Sequence, residues 1–320
     1  MSDNLGPALP QPLFRRVAII GLGLIGSSIA RVARRKNLAG TIVAIDQSPQ
    51  VRARVAEIGI ADEVAETAAA GVRDADLVIL CVPVGANTAV AKEIGACLKP
   101  GAILSDVGSV KASVIASVAP YLPQGVSLVP AHPVAGTEFS GPDAGFATLF
   151  KNRWCILTPP ERTDPDAIAR VREFWTATGS NVEIMTPTHH DLVLGITSHL
   201  PHLIAFNIVG TAAALEEGTK SEVIKFSAGG FRDFTRIAAS DPTMWRDVFL
   251  NNKSAVLEML DRFNDDLAGL VKMIREGDGD GLHERFSRTR TIRRSIIEQG
   301  QETATADFGR LAQDGSGEIQ

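Results

Sequence analysis

Short, mostly apolar runs alternate with helical patterns along the first half of the chain. These runs begin at Val17, Thr41, Leu77, Ala102, Ser127, Trp154 and Asn181. Strands that are apolar on both faces are typical of parallel sheets, in which helices cover both sides. The pattern therefore predicts an α/β fold over residues 14–187, with a Rossmann-type doubly wound sheet.

The run that begins at Ser127 contains one proline and is followed by another. Pro130 and Pro133 flank His132 and cannot donate hydrogen bonds to a neighbouring strand. We therefore expect the strand that begins at Ser127 to lie near a sheet edge or to leave the sheet early.

From Thr188 onward the apolar positions follow a helical period, and we identify no strand. Helical segments are predicted at residues 188–217, 221–239, 243–276 and 280–299. The first is apolar nearly all round, so it must be buried on nearly all sides, and a second copy of the chain is the expected cover. We predict an all-α dimerisation domain at residues 188–300 and a homodimer. Residues 1–13 and 301–320 are expected to be a flexible leader and a disordered polar tail.

Three glycines connect the first predicted strand to the first predicted helix, with Leu24 and Ile25 between the last two. In such a Gly-x-Gly-x-x-Gly turn, Gly21 allows the sharp turn, Gly23 lets the backbone approach a pyrophosphate, and Gly26 lets the helix pack on the strand. The helix N-terminus adds unpaired N–H groups for the anion. A plain strand-to-helix connection has the same composition, so the turn alone leaves both alternatives open.

Asp46 favours the dinucleotide alternative. It ends the second apolar run about 20 residues after the glycine turn, the spacing at which a carboxylate reaches the adenosine ribose. A carboxylate accepts hydrogen bonds from both ribose hydroxyls and repels a 2′-phosphate, which favours NAD over NADP. Arg52 and Arg54 lie nearby and could accommodate a phosphate, so NADP is the alternative cofactor.

Composition and charge exclude several classes of protein. The 320 residues suffice for two domains, and a net charge of -5 provides no basic surface for nucleic acid. The first residues lack the basic and apolar segments of a signal peptide, and the longest apolar stretch, residues 200–215, falls short of a membrane span. Three widely spaced cysteines suit reduced thiols in the cytoplasm.

Several side chains follow the ends of predicted strands, where a doubly wound sheet binds its ligand. Val82 and Pro83 should line the nicotinamide pocket, with Ser109 one strand away and His132 at the end of the next. Because the pKa of histidine lies near working pH, His132 could accept a proton from a substrate hydroxyl as hydride leaves the same carbon. The alternatives are a histidine satisfied by backbone contacts and a serine that caps the helix near Lys111.

The helical half contains two polar features. A stripe at helical spacing consists of Asp191, Gly195, Ser198 and His202. Since this helix should be buried, its polar groups need partners, which either a substrate in a cleft or a neighbouring helix could supply. Arg232 and Arg236 share one predicted helical face, and either could hold an anionic substrate, although a solvated ion pair is common for arginine.

Four histidines of this half raise the question of a metal site. They are His189, His190, His199 and His202. Pro201 disturbs the register between the last two, and no cysteine is close in sequence. We therefore predict no metal.

Five segments, taken together and in order, resemble those of a known family. They are Gly-Leu-Gly-Leu-Ile-Gly-Ser-Ser at 21–28, Asp-Val-Gly-Ser-Val-Lys at 106–111, His-Pro-Val-Ala-Gly-Thr-Glu at 132–138, Ser-His-Leu-Pro-His at 198–202 and Phe-Arg-Asp-Phe-Thr-Arg-Ile at 231–237. Over residues 14–300 the chain resembles the prephenate/arogenate dehydrogenases of tyrosine biosynthesis. The resemblance implies oxidative decarboxylation of prephenate and/or arogenate to 4-hydroxyphenylpyruvate and/or tyrosine. Hydride would pass to NAD from the ring carbon bearing the hydroxyl, with loss of carbon dioxide.

The same resemblance implies roles for individual residues. His132 matches the catalytic histidine that hydrogen-bonds the ring hydroxyl, and Ser109 matches the serine that helps place this hydroxyl and the nicotinamide. Arg236, rather than Arg232, matches the arginine that binds a substrate carboxylate. The remaining pocket positions are His202, Thr137, Glu138 and Trp245. None of these residues distinguishes prephenate from arogenate.

Two other functions share this layout of domains. A β-hydroxyacid or imine-reducing dehydrogenase would release no carbon dioxide and form no aromatic product. A dinucleotide-sensing module that binds partners through its helical half would leave the polar residues at the strand ends without a task.

Overall fold

The computed structural model describes residues 5–137, 139–219, 225 and 228–296. Its central strands are β1 (Phe14–Ile20), β2 (Ala39–Ile45), β3 (Glu63–Ala65), β4 (Leu77–Leu80), β5 (Ile103–Asp106) and β6 (Ser127–Leu128). They form one six-stranded sheet in the order β3-β2-β1-β4-β5-β6, and every neighbouring pair is parallel. The strand order changes direction between β1 and β4, which is the ligand-binding point of a doubly wound sheet. The predicted Rossmann-type fold is confirmed.

Helices lie on both faces of this sheet. They are α1 (Leu24–Lys36), α2 (Pro49–Ile58), α3 (Ala68–Gly71), α4 (Asn87–Ile94), α5 (Ala112–Val118) and α6 (Pro165–Ala177). Val17 and Ile19 of β1 belong to an apolar core with residues of α1 and α6, whereas Ala18 and Ile20 belong to a second core with residues of α4 and α5. Because successive residues enter opposite cores, the buried stretches of the central strands are mostly apolar on both faces.

The runs at Trp154 and Asn181 do not extend the large sheet, contrary to the prediction of a single alternating pattern. The second sheet consists of β7 (Ala131–Pro133), β8 (Trp154–Leu157) and β9 (Asn181–Ile184). β7 is antiparallel to β8, with His132 opposite Ile156, and β9 is parallel to β8. The proline-bearing run is divided between the sheets: β6 is an edge strand that ends at Leu128, as the prolines predicted.

The end of the leader is fastened to α1. Lys36 Nζ donates to the carbonyl oxygens of Leu5 and Pro7, and Asn37 Nδ2 donates to that of Leu9. The sequence predicts a flexible leader over residues 1–13. From Leu5 onward it is instead held by these hydrogen bonds, and residues 1–4 lie outside the described range.

The described second half contains helices and no strand. The helices are α7 (Pro187–Leu194), α8 (Leu200–Thr219), α9 (Gly229–Thr235), α10 (Pro242–Asn251), α11 (Lys253–Glu276) and α12 (Gly279–Ile296). A five-residue π-helical segment, Gly195–His199, joins α7 to α8, and a 3₁₀ helix, Arg236–Ala239, follows α9. Asn252 interrupts the helix predicted at 243–276. The predicted disordered tail and most of residues 220–227 lie outside the described residues.

The helix Pro187–Leu215 is longer than the apolar stretch identified from the sequence. Its 29 residues, with a mean hydropathy of 1.6 in the most apolar window, are long and apolar enough to cross a membrane by length and composition. The apolar stretch at residues 200–215 is only the second part of this helix, which begins at Pro187. Core helices of water-soluble proteins meet the same criterion, and this one carries the buried polar side chains of His190, Asp191 and His199.

The chain divides into two compact units, residues 1–259 and 260–320. All described residues of the candidate site belong to the first unit.

Candidate active site

The glycine turn lies between β1 and α1. Gly21 has a φ of 96°, and a Cβ there would overlap the carbonyl oxygen of Cys81, while a Cβ at Gly26 would overlap that of Gly21. By contrast, a Cβ at Gly23 would meet no atom within 4 Å, and α1 begins without a side-chain cap. The turn therefore presents a bare helix N-terminus next to open space, an arrangement that fits the pyrophosphate of a dinucleotide.

Asp46 follows β2 at the same edge of the sheet. Its Oδ2 accepts a hydrogen bond from the N–H of Leu22 at 2.9 Å, and its Oδ1 accepts one from the N–H of Ser48 at 2.9 Å. The carboxylate is thus fixed beside the glycine turn by two backbone donors. This position agrees with the predicted role of a ribose-binding acid.

The two arginines near Asp46 are already engaged. Arg52 donates to the carbonyl oxygens of Asp46 and Gln47 at 2.8 and 3.1 Å. Arg54 forms ion pairs with Asp143 and Glu57, each at 2.7 Å. Their charges are therefore directed to partners within the protein rather than held ready for a 2′-phosphate.

The loop after β4 connects the sheet to the helical region. Val82 is half-buried beside Gly21, and Pro83 is exposed, both just beyond the end of the strand as predicted. The N–H of Gly85 donates to Asp247 Oδ2 of α10 at 3.2 Å, and a Cβ at Gly85 would crowd this carboxylate. α10 therefore packs directly on the loop expected to line the nicotinamide.

Ser109 is half-buried in the loop between β5 and α5. The first N–H groups of this helix, those of Lys111 and Ala112, donate to the carboxylate of Asp191 at 2.8 and 2.9 Å. No side chain of the loop caps α5. The alternative that Ser109 serves as a helix cap is therefore wrong.

A buried ion pair lies in the same loop. Lys111 is fully buried, and its Nζ contacts Asp106 Oδ2 and donates to the carbonyl oxygen of Ala131 at 2.8 Å. Burial raises the pKa of the Asp106 carboxyl and lowers the pKa of the Lys111 ammonium, while their mutual contact opposes both shifts. This pair fastens the Ser109 loop to β7 immediately before His132. Both residues belong to the segment at 106–111, but the sequence alone predicts no ion pair between them.

His132 lies on β7 and is 7% exposed. Its Nδ1 is 2.8 Å from His190 Nε2, so its partner is a side chain and not the backbone between the prolines. Burial, reinforced by the nearby charge of Lys111, holds the pKa of His132 well below its usual value. The imidazole is therefore neutral at working pH and is able to accept a proton.

The π-helical segment changes the polar stripe that was predicted on this helix. A π turn contains more residues than an α turn, so His199 takes the buried position expected for Ser198. Asn252 Nδ2 lies 3.0 Å from His199 Nδ1 and donates to the carbonyl oxygen of Asp191 at 2.8 Å. Burial lowers the pKa of His199 to about 4. For Asp191, a member of the predicted stripe, the alternative of hydrogen bonding to neighbouring helices is therefore observed, and His199 joins these contacts in place of Ser198.

His202 and Trp245 form a stacked pair with ring centroids 3.6 Å apart. Trp245 is buried, and within the described residues its Nε1 has no hydrogen-bond partner. Burial lowers the pKa of His202, and the charge of nearby Arg236 adds to this effect. Arg232 is exposed on α9, whereas Arg236 is half-buried at the start of the following 3₁₀ helix. The indole N–H and the Arg236 charge suit a polar, anionic ligand.

The two remaining predicted pocket residues are Thr137 and Glu138. Thr137 is exposed in the loop after β7, where its Oγ1 accepts from the N–H of Phe139, and Glu138 lies outside the described residues. Among the residues that the structure describes, no group of three or more His, Cys, Asp or Glu is arranged to hold a metal ion.

Two models of one family match consecutive parts of the chain. The model of the prephenate dehydrogenase nucleotide-binding domain matches residues 29–184. The model of the prephenate dehydrogenase dimerization domain matches residues 186–288. Together they span most of the chain, and the first of them describes a nucleotide-binding domain.

Known proteins resemble the chain over the same region. It is 44% identical over 284 residues to a cyclohexadienyl dehydrogenase of Zymomonas mobilis, covering 89% of this chain and 97% of that protein. It is 32% identical to a prephenate dehydrogenase of Bacillus subtilis, covering 87% and 75%, respectively. The crystal structure of Aquifex aeolicus prephenate dehydrogenase with hydroxyphenyl propionate and NAD+ is 35% identical, with a TM-score of 0.83 over 88% of this chain and 98% of that one. The chain therefore belongs to the prephenate dehydrogenase family of oxidoreductases.

Proposed function

We propose that the protein oxidises and decarboxylates prephenate and/or arogenate, with NAD as the hydride acceptor. The observation that carries this proposal is the buried, neutral His132 beside the Ser109 loop, at the ligand-binding end of a dinucleotide fold. Family membership supports the choice of a cyclohexadienyl substrate over the acids and imines used by other dehydrogenases of this layout.

The chemistry requires a base and a site for carboxylates. When bound, NAD accepts hydride from the ring carbon that bears the hydroxyl. His132 accepts the proton of this hydroxyl, and Ser109 helps to place the hydroxyl. As the carboxylate opposite leaves as carbon dioxide, the electron pair of its bond to the ring completes the aromatic system, which makes the reaction strongly favourable. The resulting phenolate oxygen takes the proton back from His132. Arg236 binds a carboxylate of the substrate, in a pocket to which His202, Trp245 and Thr137 contribute.

The proposal is tested by offering prephenate and arogenate separately, each with NAD and with NADP. We expect nicotinamide reduction and stoichiometric release of carbon dioxide with at least one substrate in the presence of NAD. Inactivity with all four pairs would reject the assignment. Reduction without carbon dioxide would indicate the β-hydroxyacid or imine-reducing alternative.

The preference for NAD depends on Asp46. Its carboxylate is held beside the turn, and both neighbouring arginines have partners. For Asp46→Asn we expect the KM for NAD to rise about 10- to 100-fold, because a hydrogen bond to a charged group contributes about 1.5 to 3 kcal/mol. The KM for NADP should change less, since the repulsion of its phosphate is also removed.

Steady-state kinetics with both cofactors measure this change. Glu173→Gln is the matched control, because it removes an exposed carboxylate from α6. Equal losses with NAD and NADP in Asp46→Asn would show that Asp46 only shapes the turn.

Arg236 should act in substrate binding. Arg236→Gln removes a charge-assisted hydrogen bond, so we expect the KM for the substrate to rise about 10- to 100-fold with a smaller change in kcat. Arg232→Gln, at the exposed arginine of α9, is the control and should bind substrate normally. The reverse order of effects in the two variants would assign the carboxylate to Arg232.

We also propose a homodimer in the cytoplasm. Only 28% of the most apolar window of the helix Pro187–Leu215 is buried within one chain, and Ile196, Ile208 and Val209 are exposed on it. A match to a dimerization domain over these residues supports a second copy as their cover. The three free cysteines suit a reducing compartment.

A further inference from the structure

Three buried polar side chains form a line that leads away from His132. His132 Nδ1 is 2.8 Å from His190 Nε2, and His190 Nδ1 is 2.8 Å from Asp191 Oδ1. His190 is completely buried and Asp191 is 6% exposed. The line crosses from β7 to α7, two elements that are far apart in sequence. Neither His190 nor Asp191 was singled out as a partner of His132 by the sequence.

The hydrogen bonds of Asp191 determine which atoms donate and which accept along this line. Asp191 Oδ1 also accepts from the N–H of Lys111, and Oδ2 accepts from the N–H of Ala112. An ionised carboxylate only accepts, so the proton between His190 and Asp191 belongs to His190 Nδ1. Neutral His190 then has a lone pair on Nε2. His132 must therefore donate its Nδ1–H to His190, which leaves the lone pair of His132 on Nε2.

We propose that His190 and Asp191 are positioning residues that fix His132 in the Nδ1–H tautomer and in one ring orientation. The proposal rests on the proposed function, in which His132 accepts the hydroxyl proton of the substrate. In that step the proton bonds to His132 Nε2, and the resulting imidazolium keeps donating its Nδ1–H to His190. Without an acceptor at position 190, the ring is free to carry its proton on Nε2, the nitrogen that must be vacant for the reaction.

Asp191 also binds the start of α5, so replacing it would not test its role toward His190 alone. Its carboxylate satisfies two N–H groups at the start of α5, so its replacement would also disturb the Ser109 loop. His190 contacts only members of the line through its ring nitrogens, as far as the described residues show. The test therefore varies position 190.

Two substitutions separate the proposed role from simple space filling. His190→Phe keeps a planar ring but cannot accept a hydrogen bond, whereas His190→Gln retains an amide oxygen near the position of Nε2. We expect His190→Phe to lower kcat by about 100-fold or more, with the KM for NAD changed little, because general base catalysis contributes about 10²- to 10⁴-fold. His190→Gln should recover at least about tenfold of this loss. His189→Phe, at the exposed neighbouring histidine, is the control.

The tautomer of His132 is measured without substrate, by ¹⁵N NMR of protein labelled at its six histidines. The His132 signals are identified by their absence in His132→Asn. We expect protonated Nδ1 in the wild type and in His190→Gln, and protonated Nε2 in a substantial fraction of His190→Phe. A wild-type His132 protonated on Nε2, or a His190→Phe enzyme as active as His190→Gln, would overturn the proposal. If the NMR result is as expected while no cyclohexadienyl substrate is oxidised, the proposed function fails and the positioning role stands.

Discussion

Replacing His132 with asparagine should lower kcat by about 10²- to 10⁴-fold, the usual contribution of a general base, while NAD still binds. The asparagine amide is smaller than imidazole and can hydrogen-bond to His190, so the surroundings of β7 are kept. It has no basic nitrogen, however, to accept the hydroxyl proton. Burial holds the pKa of His132 well below its usual value, so the wild-type ring is ready as a base throughout the neutral range.

The measurement combines steady-state turnover of prephenate and arogenate with NAD binding followed by calorimetry. His189→Asn is the matched control, since His189 is exposed at the start of α7. We expect both variants to bind NAD with near wild-type affinity and only His132→Asn to lose turnover. Turnover within a few-fold of the wild type in His132→Asn would remove His132 from the mechanism.

The glycine turn and the position of Asp46 beside it could be predicted because these residues are close together in sequence. The positions of Gly21, Gly23 and Gly26 follow from the geometry of one strand-to-helix turn. Asp46 follows at the end of the next strand, which the βαβ connection brings beside the first. The positions of these residues depend on the order of neighbouring strands and helices, and the apolar pattern predicts that order.

The surroundings of His132 could not be predicted in the same way. The strand pattern predicts β8, β9 and one strand from Ser127. It does not say which sheet each one joins, and it does not predict that the chain from Ser127 is divided into β6 and β7. Lysine is seldom fully buried, so nothing marked Lys111 as a core residue. The position of His199 depends on the π-helical segment, which shifts every later residue relative to the α-helical register. Each of these features depends on contacts between elements that are distant in sequence.

Replacing Lys111 is expected to have the largest effect on the free energy of unfolding. Its Nζ contacts Asp106 Oδ2 and the carbonyl oxygen of Ala131, and both members of the ion pair are buried. Lys111→Met would leave the Asp106 carboxylate without its cation in a dry environment. Breaking a buried pair in this way costs about 3 to 5 kcal/mol. We therefore expect the free energy of unfolding to fall by that amount in urea titrations at one fixed protein concentration.

Two further variants show whether this loss comes from the orphaned charge. Lys99→Met breaks a partly exposed pair with Asp76 and should cost about 1 kcal/mol or less. Lys111→Met combined with Asp106→Leu removes both buried charges, so it should regain part of the stability lost in Lys111→Met. If Lys111→Met were no more destabilising than Lys99→Met, the buried pair would not stabilise the Ser109 loop against β7. A double variant less stable than Lys111→Met would instead mean that Asp106 stabilises the loop through Gly108, whose N–H donates to its Oδ2 at 2.8 Å.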